Sequence, residues 1–126
     1  MKHSDNTITQ ILKKSGAILD GHFELTSGLH SPKYLEKFKL LQFPNFTEYF
    51  CQMIASHFKD SGAQVVAGPA LGGVVLAFEV ARLLGIGAIY AERVGEGRGF
   101  RRGLSVSNGE RVLIVDDLLA TGGTVN

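Results

Sequence analysis

The sequence predicts an α/β fold in which a parallel sheet is flanked by helices. Short apolar segments at 64–67, 88–91 and 111–115 alternate with stretches in which apolar residues recur at helical spacing. This pattern is typical of parallel strands covered on both faces. The length of 126 residues favours one domain. Within it we expect an N-terminal helix and hairpin at 1–43 and an α/β core at 44–126.

The N-terminal part is predicted to form a small cap before the core. Apolar residues of segment 6–15 recur at helical spacing, and Gly16 fits the end of that helix. Residues 23–28 alternate like a strand, 28–32 form a turn, and 34–40 are expected to be extended. We therefore expect one helix followed by one hairpin.

The core is predicted to alternate helices and strands. In order, the elements are a helix from Pro44 to about residue 59, a strand at 64–67, a tight turn at 68–73, a helix at 73–84, a strand at 88–91, a mobile loop or hairpin at 93–103, and a central strand at 111–115. The chain ends where a further helix should begin. We therefore expect a truncated chain that lacks the C-terminal part of the sheet.

Composition excludes several classes of function. The net charge of +1 gives no field that would attract nucleic acid or an anionic membrane. No apolar run approaches the length of a membrane span, and the N-terminus carries no apolar signal segment. The single cysteine, Cys51, lies in an apolar helical pattern, which favours a core residue over a nucleophile. We expect a soluble, cytoplasmic protein.

The segment Val112–Thr124, VLIVDDLLATGGT, carries the chemistry. Asp116 and Asp117 follow an apolar strand, at the edge where open α/β sheets bind ligands. The next loop leads into a helix N-terminus, and its glycines would let backbone N–H groups close on a phosphate. Carboxylates can bind the diol of a sugar, and the loop beside them can bind a phosphate. The two together would suit a ribose 5-phosphate. The alternative is a solvated turn that binds nothing.

This segment resembles the motif with which type I phosphoribosyltransferases bind 5-phosphoribosyl-1-pyrophosphate (PRPP). The resemblance implies the fold of that family, with Asp116 and Asp117 on the ribose hydroxyls. It implies that the 5-phosphate is bound by Ala120, Thr121, Gly122, Gly123 and Thr124. The family displaces pyrophosphate from C1 of the sugar with a nitrogen base, assisted by Mg²⁺. We expect the ion to be held mainly by PRPP oxygens and water, with no dedicated metal ligands in the protein.

The turn Gly68–Gly73, GPALGG, is a second candidate anion site between a strand and a helix. Many such turns bind nothing, but this one resembles the pyrophosphate loop of the same family. By that resemblance Ala70, Leu71, Gly72 and Gly73 would bind the pyrophosphate of PRPP. Some relatives carry a lysine in this turn, whereas this chain has Leu71 and Gly72, so backbone donors would remain.

The segment Gly21–Tyr34 resembles the hairpin that covers the base, called the hood, in orotate phosphoribosyltransferases. The candidate base contacts are His30, Lys33, Lys37 and Lys39, of which we expect His30 and Lys33 to contact orotate, with Thr121 as a third contact. The alternative is a solvated basic hairpin, and Tyr34 is expected to be a packing residue. Family members often carry a lysine where His30 stands. The PRPP motif alone would fit an adenine-type enzyme equally well, so that alternative stays open. The family also implies a homodimer with shared active sites.

The segment 93–103 departs from the family pattern. Orotate enzymes usually carry a lysine here, often with a histidine, but no lysine follows Lys59 and no histidine follows His57. Arginine can clamp a diphosphate, although it cannot act as a general acid near neutral pH. We expect Arg93 to contact the leaving group and to be catalytic with the two aspartates, with Arg98 as the second candidate. A non-catalytic PRPP-binding module is the alternative.

Overall fold

The computed structural model describes residues 5–118. The chain separates into two compact units, and the boundary falls between Thr47 and Glu48. It lies close to the predicted division after residue 43, and a single domain stays a prediction. No helix within the described range is both long and apolar enough to cross a membrane.

The N-terminal unit contains a helix, a hairpin and a short second helix. The elements are α1 (Asp5–Lys14), β1 (Ile18–Glu24), β2 (His30–Leu35) and α2 (Lys37–Leu41). β1 and β2 pair in antiparallel fashion. Leu25 N–H donates to Leu29 O over 2.7 Å to close the turn, and Gly28 adopts a φ of +87° there. Glycine adopts this backbone conformation without the steric cost of a side chain.

Three predictions for this unit were wrong in their boundaries, and one of them is the turn, which lies at 25–29 instead of 28–32. The first strand covers Ile18–Glu24 instead of 23–28, and residues 37–41 form a helix instead of an extended segment. A local cap accounts for that helix, because the Glu36 carboxylate accepts a hydrogen bond from Phe38 N–H over 3.4 Å. The cap satisfies a backbone donor that has no partner inside the helix.

The second unit has the predicted α/β organisation. The long helix α3 (Pro44–Phe58) leads into it. The remaining elements are β3 (Val65–Pro69), α4 (Gly72–Leu84), β4 (Gly87–Val94), β5 (Gly97–Phe100) and β6 (Val112–Ile114). The sheet order is β5-β4-β3-β6, with β3 parallel to both β4 and β6. β5 pairs antiparallel with β4, so the segment 93–103 contains the hairpin that the sequence left open.

β3 is the buried centre of this sheet, because all its residues are buried. A Cβ built at Gly68 would meet Gly73 and Ala77, so that face of β3 lies against α4. On the opposite face Ala67 packs with Ile89 and with Leu104 from the connection after β5. Segment 111–115 was expected to form a central strand, but β6 pairs with β3 alone in the described sheet. The central position is occupied by β3 instead.

Cys51 is a core residue, as predicted. It is fully buried, and its Sγ lies 3.9 Å from the carbonyl oxygen of Leu76 on α4. Burial raises the pKa of the Cys51 thiol to about 12, and the nearby Glu79 carboxylate adds to the effect. A thiol in this environment is protonated at neutral pH and does not act as a nucleophile.

Candidate active site at the carboxyl edge of the sheet

The carboxyl ends of three parallel strands meet at one edge of the sheet. β3 ends at Pro69 and continues into the turn before α4, β6 is followed by Asp116 and Asp117, and β4 runs through Arg93 to Val94. Because β3 is hydrogen-bonded to both neighbours, these ends lie side by side. This is the edge at which open α/β sheets bind ligands.

The turn between β3 and α4 is attached to β4. Ala70 N–H donates to Ala91 O over 2.8 Å, so this N–H group already has an acceptor within the protein. Of the predicted pyrophosphate contacts Ala70–Gly73, the backbone donors of Leu71, Gly72 and Gly73 remain. The Ala70–Leu71 peptide bond is cis, and the Leu71 side chain is 72% exposed. Gly72 and Gly73 open α4, where backbone N–H groups have no partner inside the helix. The donors that remain for an anion are those predicted at Leu71–Gly73.

The glycines of this turn allow close packing against the end of β6. A Cβ at Gly73 would lie 2.6 Å from Pro69 Cδ and 3.2 Å from Val115 O. A Cβ at Gly72 would overlap the Asp117 carboxylate. The turn 68–73 and the aspartate pair, which are far apart in sequence, therefore form one site.

The aspartate pair is partly buried and internally bonded. Asp117 N–H donates to Asp116 Oδ1 over 2.8 Å. Burial raises the pKa of Asp116, the adjacent Asp117 carboxyl raises it further, and the positive charge of Arg98 opposes both effects. Raised carboxyl pKa values are frequent at functional sites because desolvated carboxylates are found there.

Arg98, the second candidate in the sequence, contacts the turn directly. Its Nη1 donates to Ala70 O over 3.0 Å. Arg93 and Arg98 are register partners in the antiparallel ladder of β4 and β5. Directly opposed residues project from the same face of a sheet, so both guanidinium groups lie on one face. Arg102 is engaged elsewhere, in an ion pair with Glu92 at 3.1 Å.

The hairpin of the N-terminal unit carries the predicted base contacts, His30 and Lys33, on β2, and both are exposed. His30 Nδ1 lies 2.6 Å from His22 Nε2, so the two imidazoles share a hydrogen bond. Lys33 pairs in register with Asp20. Tyr34 packs against Phe23 with ring centroids 5.6 Å apart, which supports its prediction as a packing residue.

The remaining predicted residues are Ala120, Thr121, Gly122, Gly123 and Thr124, which lie outside the described residues. Within the described range, no group of three or more His, Cys, Asp or Glu side chains could hold a metal ion. Asp116 and Asp117 are the adjacent carboxylates at the sheet edge. This donor set fits an ion whose ligands come mainly from a bound diphosphate.

Residues 40–126 match the phosphoribosyl transferase domain family. The chain belongs to this family. Curated relatives are similar over nearly the whole chain. A protein of Pelotomaculum thermopropionicum named orotate phosphoribosyltransferase is 47% identical over 94% of this chain and 62% of its own length. One of the same name from Caldicellulosiruptor bescii is 49% identical over 92% of this chain and 61% of its own length. The chain thus spans about three fifths of these relatives.

Solved structures share the fold of this phosphoribosyltransferase domain. Orotate phosphoribosyltransferase from Aeropyrum pernix superposes with a TM-score of 0.74 at 28% identity, covering 94% of this chain and 68% of that one. Adenine phosphoribosyltransferase from Thermoanaerobacter pseudethanolicus gives 0.68 at 22% identity, covering 93% and 74%. The latter likeness shows the fold alone. The predicted type I phosphoribosyltransferase fold is confirmed.

Sequence reasoning missed three contacts made by predicted site residues. These are the bond between Ala70 and Ala91, the bond between Arg98 and Ala70, and the contact of His22 with His30. The first two attach the turn after β3 to β4 and to β5, and such contacts are not evident before the strand order is known. The histidine pair had a partial signal, because both residues belong to the segment Gly21–Tyr34 that was expected to form a hairpin.

Proposed function

We propose that the protein of which this chain is part transfers the phosphoribosyl group of PRPP to orotate, giving orotidine 5-monophosphate and pyrophosphate in pyrimidine synthesis. The observation that carries the proposal is the 45–49% identity to curated orotate phosphoribosyltransferases over at least 91% of this chain. The contact between the Gly72 turn and Asp117 supports it, because PRPP requires its diol site and its diphosphate site to be adjacent.

Three parts of the site bind three different groups of PRPP. Asp116 and Asp117 accept hydrogen bonds from the ribose hydroxyls, which are donors that suit a carboxylate. The N–H groups of Leu71, Gly72 and Gly73, with Arg93 and Arg98, bind the pyrophosphate. The 5-phosphate is bound by Ala120, Thr121, Gly122, Gly123 and Thr124.

In the reaction, the bond from C1 of the ribose to the pyrophosphate oxygen breaks, and a bond from C1 to the base nitrogen forms. The base nitrogen loses its proton to solvent water, and pyrophosphate leaves with the electron pair of the broken bond. The carboxylates favour the positive charge that develops on the sugar, and the arginines favour the negative charge that develops on the leaving group. Mg²⁺, when bound, neutralises part of the diphosphate charge.

Orotate is the base that the relatives' names support. The likeness to adenine phosphoribosyltransferases comes from structures at 16–22% identity, which bears on the fold and not on the base. We assign the contacts of the base to His30, Lys33 and Thr121, because an anionic pyrimidine needs cations and donors. A homodimer with shared active sites and a cytoplasmic location belong to the same proposal.

The first experiment measures pyrophosphate release from PRPP by the full-length protein with Mg²⁺ present. The bases are orotate, adenine, xanthine and none. We expect release with orotate alone. Release with adenine alone would replace the proposal by an adenine-type enzyme. If no base gives pyrophosphate release while PRPP still binds, the result would favour a non-catalytic PRPP-binding module.

Asp117→Asn is the matched variant, because it removes one charge and keeps the shape of the side chain. Losing hydrogen bonds to a charged group should lower kcat/KM for PRPP by about 10- to 100-fold. Circular dichroism should be unchanged. Full activity of this variant would contradict the role given to the aspartate pair.

A further inference from the structure

His22 and His30 are joined across the hairpin of the N-terminal unit. His22 lies on β1, and His30 is the first residue of β2. Nε2 of His22 lies 2.6 Å from Nδ1 of His30, and the two ring centroids are 4.7 Å apart with the planes inclined by 63°. The two nitrogens therefore share one proton in a hydrogen bond, although both residues are exposed to solvent.

The strand around His22 is irregular where this contact forms. Between its pairings with Lys33 and Ser31, β1 has one residue more than β2. Such a bulge changes the direction of the side chains beside it. The ring of Phe23 covers Gly21, where an added Cβ would lie 3.2 Å from it. The backbone on both sides of His22 is thus held by pairing and packing.

The hydrogen bond determines what the other nitrogen of His30 can do. If His22 donates from Nε2, Nδ1 of His30 accepts, and a neutral His30 carries its own proton on Nε2. If a neutral His30 donates from Nδ1, its Nε2 is an acceptor. The carboxylate and carbonyl oxygens of orotate accept hydrogen bonds, so of these two arrangements only the first offers the base a donor. Glu24 lies opposite His30 in the ladder, but an ionised carboxylate cannot donate to Nδ1.

We propose that His22 is a positioning residue, which donates from Nε2 to Nδ1 of His30 and thereby keeps a proton on Nε2 of His30 for an acceptor oxygen of the base. This inference rests on the proposed function, in which His30 contacts orotate, and deepens it by naming the group that sets the tautomer of that contact. A hydrogen bond to one nitrogen of a histidine fixes both its tautomer and the orientation of its ring.

The first test determines the tautomer of His30 in the free full-length protein. Long-range proton–nitrogen NMR spectra of histidine-labelled protein distinguish a protonated ring nitrogen from a bare one. We expect a bare Nδ1 and a protonated Nε2 on His30 in the wild type. In His22→Phe, which keeps an aromatic ring but has no donor, both tautomers should be populated. A proton on Nδ1 of His30 in the wild type overturns the inference.

The second test separates a positioning role from a structural one. His22→Phe should raise the KM for orotate by about 3- to 10-fold, the effect of one hydrogen bond, and leave the KM for PRPP unchanged. His22→Gln should recover part of the loss, because its amide can donate. His57→Phe is the matched control, since His57 is also exposed but lies on α3 and packs against Phe58; it should match the wild type. If His22→Phe raises both KM values and lowers the urea midpoint, the role is structural and the inference is wrong.

A double variant shows whether His22 acts through His30. His30→Phe should raise the KM for orotate at least as much as His22→Phe does, and combining the two should cause no further change. Additive effects, or a wild-type KM for orotate in one of the single variants, contradict the inference and leave the transfer to orotate standing. The proposed function fails separately, if the wild type does not use orotate, and the NMR measurement needs no turnover.

Discussion

Gly72→Ala perturbs the contact that joins the pyrophosphate turn to the aspartate pair. The added Cβ would overlap the Asp117 carboxylate oxygen and lie 2.5 Å from its Cγ. Ordinary contacts of this kind begin at 3.4 Å, so the carboxyl group must retreat by at least about 0.9 Å. A displacement of about 1 Å at a reacting site can cost on the order of 100-fold in rate. We therefore predict a fall of this order in kcat/KM for PRPP.

The assay is steady-state pyrophosphate release by the full-length protein, with urea unfolding measured in parallel. Gly87→Ala is the matched control, because a Cβ at Gly87 meets nothing within 4 Å and this glycine has no positive φ. We expect the control to keep its activity, and Gly72→Ala to lose about 1–3 kcal/mol of stability through overpacking. Wild-type kinetics for Gly72→Ala would refute the inference that this contact positions Asp117.

Three further predictions concern buried or partly buried groups. Because the pKa of Cys51 is about 12, roughly one thiol in ten thousand is ionised at pH 8; alkylation should require unfolding, and rapid native labelling would contradict this. Folding raises the pKa of Asp116, so its contribution to stability is present at low pH and lost as the pH rises through the folded-state value. Asp116→Asn should therefore be more stable than wild type at pH 7, with no difference below the ordinary aspartate pKa; equal urea midpoints at pH 7 would count against it. Thr47 is buried, and its hydroxyl donates to Leu41 O over 3.1 Å; Thr47→Val should cost about 1 kcal/mol in urea unfolding, and an unchanged midpoint would exclude that role.

The sequence alone determined the strands and the two motifs at their ends. β3 and β6 are apolar runs, and β3, which is buried along its whole length, needs no alternation to be recognised as a strand. Asp116 and Asp117 follow such a run, and the glycines at 72 and 73 follow the other. These are local patterns, since hydrophobic periodicity and turn residues act over a few neighbouring positions. The fold family followed from them.

The short elements of the N-terminal unit were less predictable for a local reason. The segment after Leu35 contains apolar and basic residues that suit a strand or a helix. The Glu36 cap favours the helix by satisfying the N–H of Phe38. Such a cap contributes about 1 kcal/mol, which is enough to decide a segment whose propensities are nearly balanced.

Only the tertiary structure decided which residues of the candidate site meet. Asp117 lies against Gly72, and Arg98 bonds Ala70, because β3 pairs with β6 on one side and with β4 on the other. Strand order and register bring together residues that are far apart in sequence, and periodicity within a strand carries no information about its neighbours. The sequence therefore identified the chemical groups of the site, whereas the pairing of the strands determined that Arg98 contacts the turn.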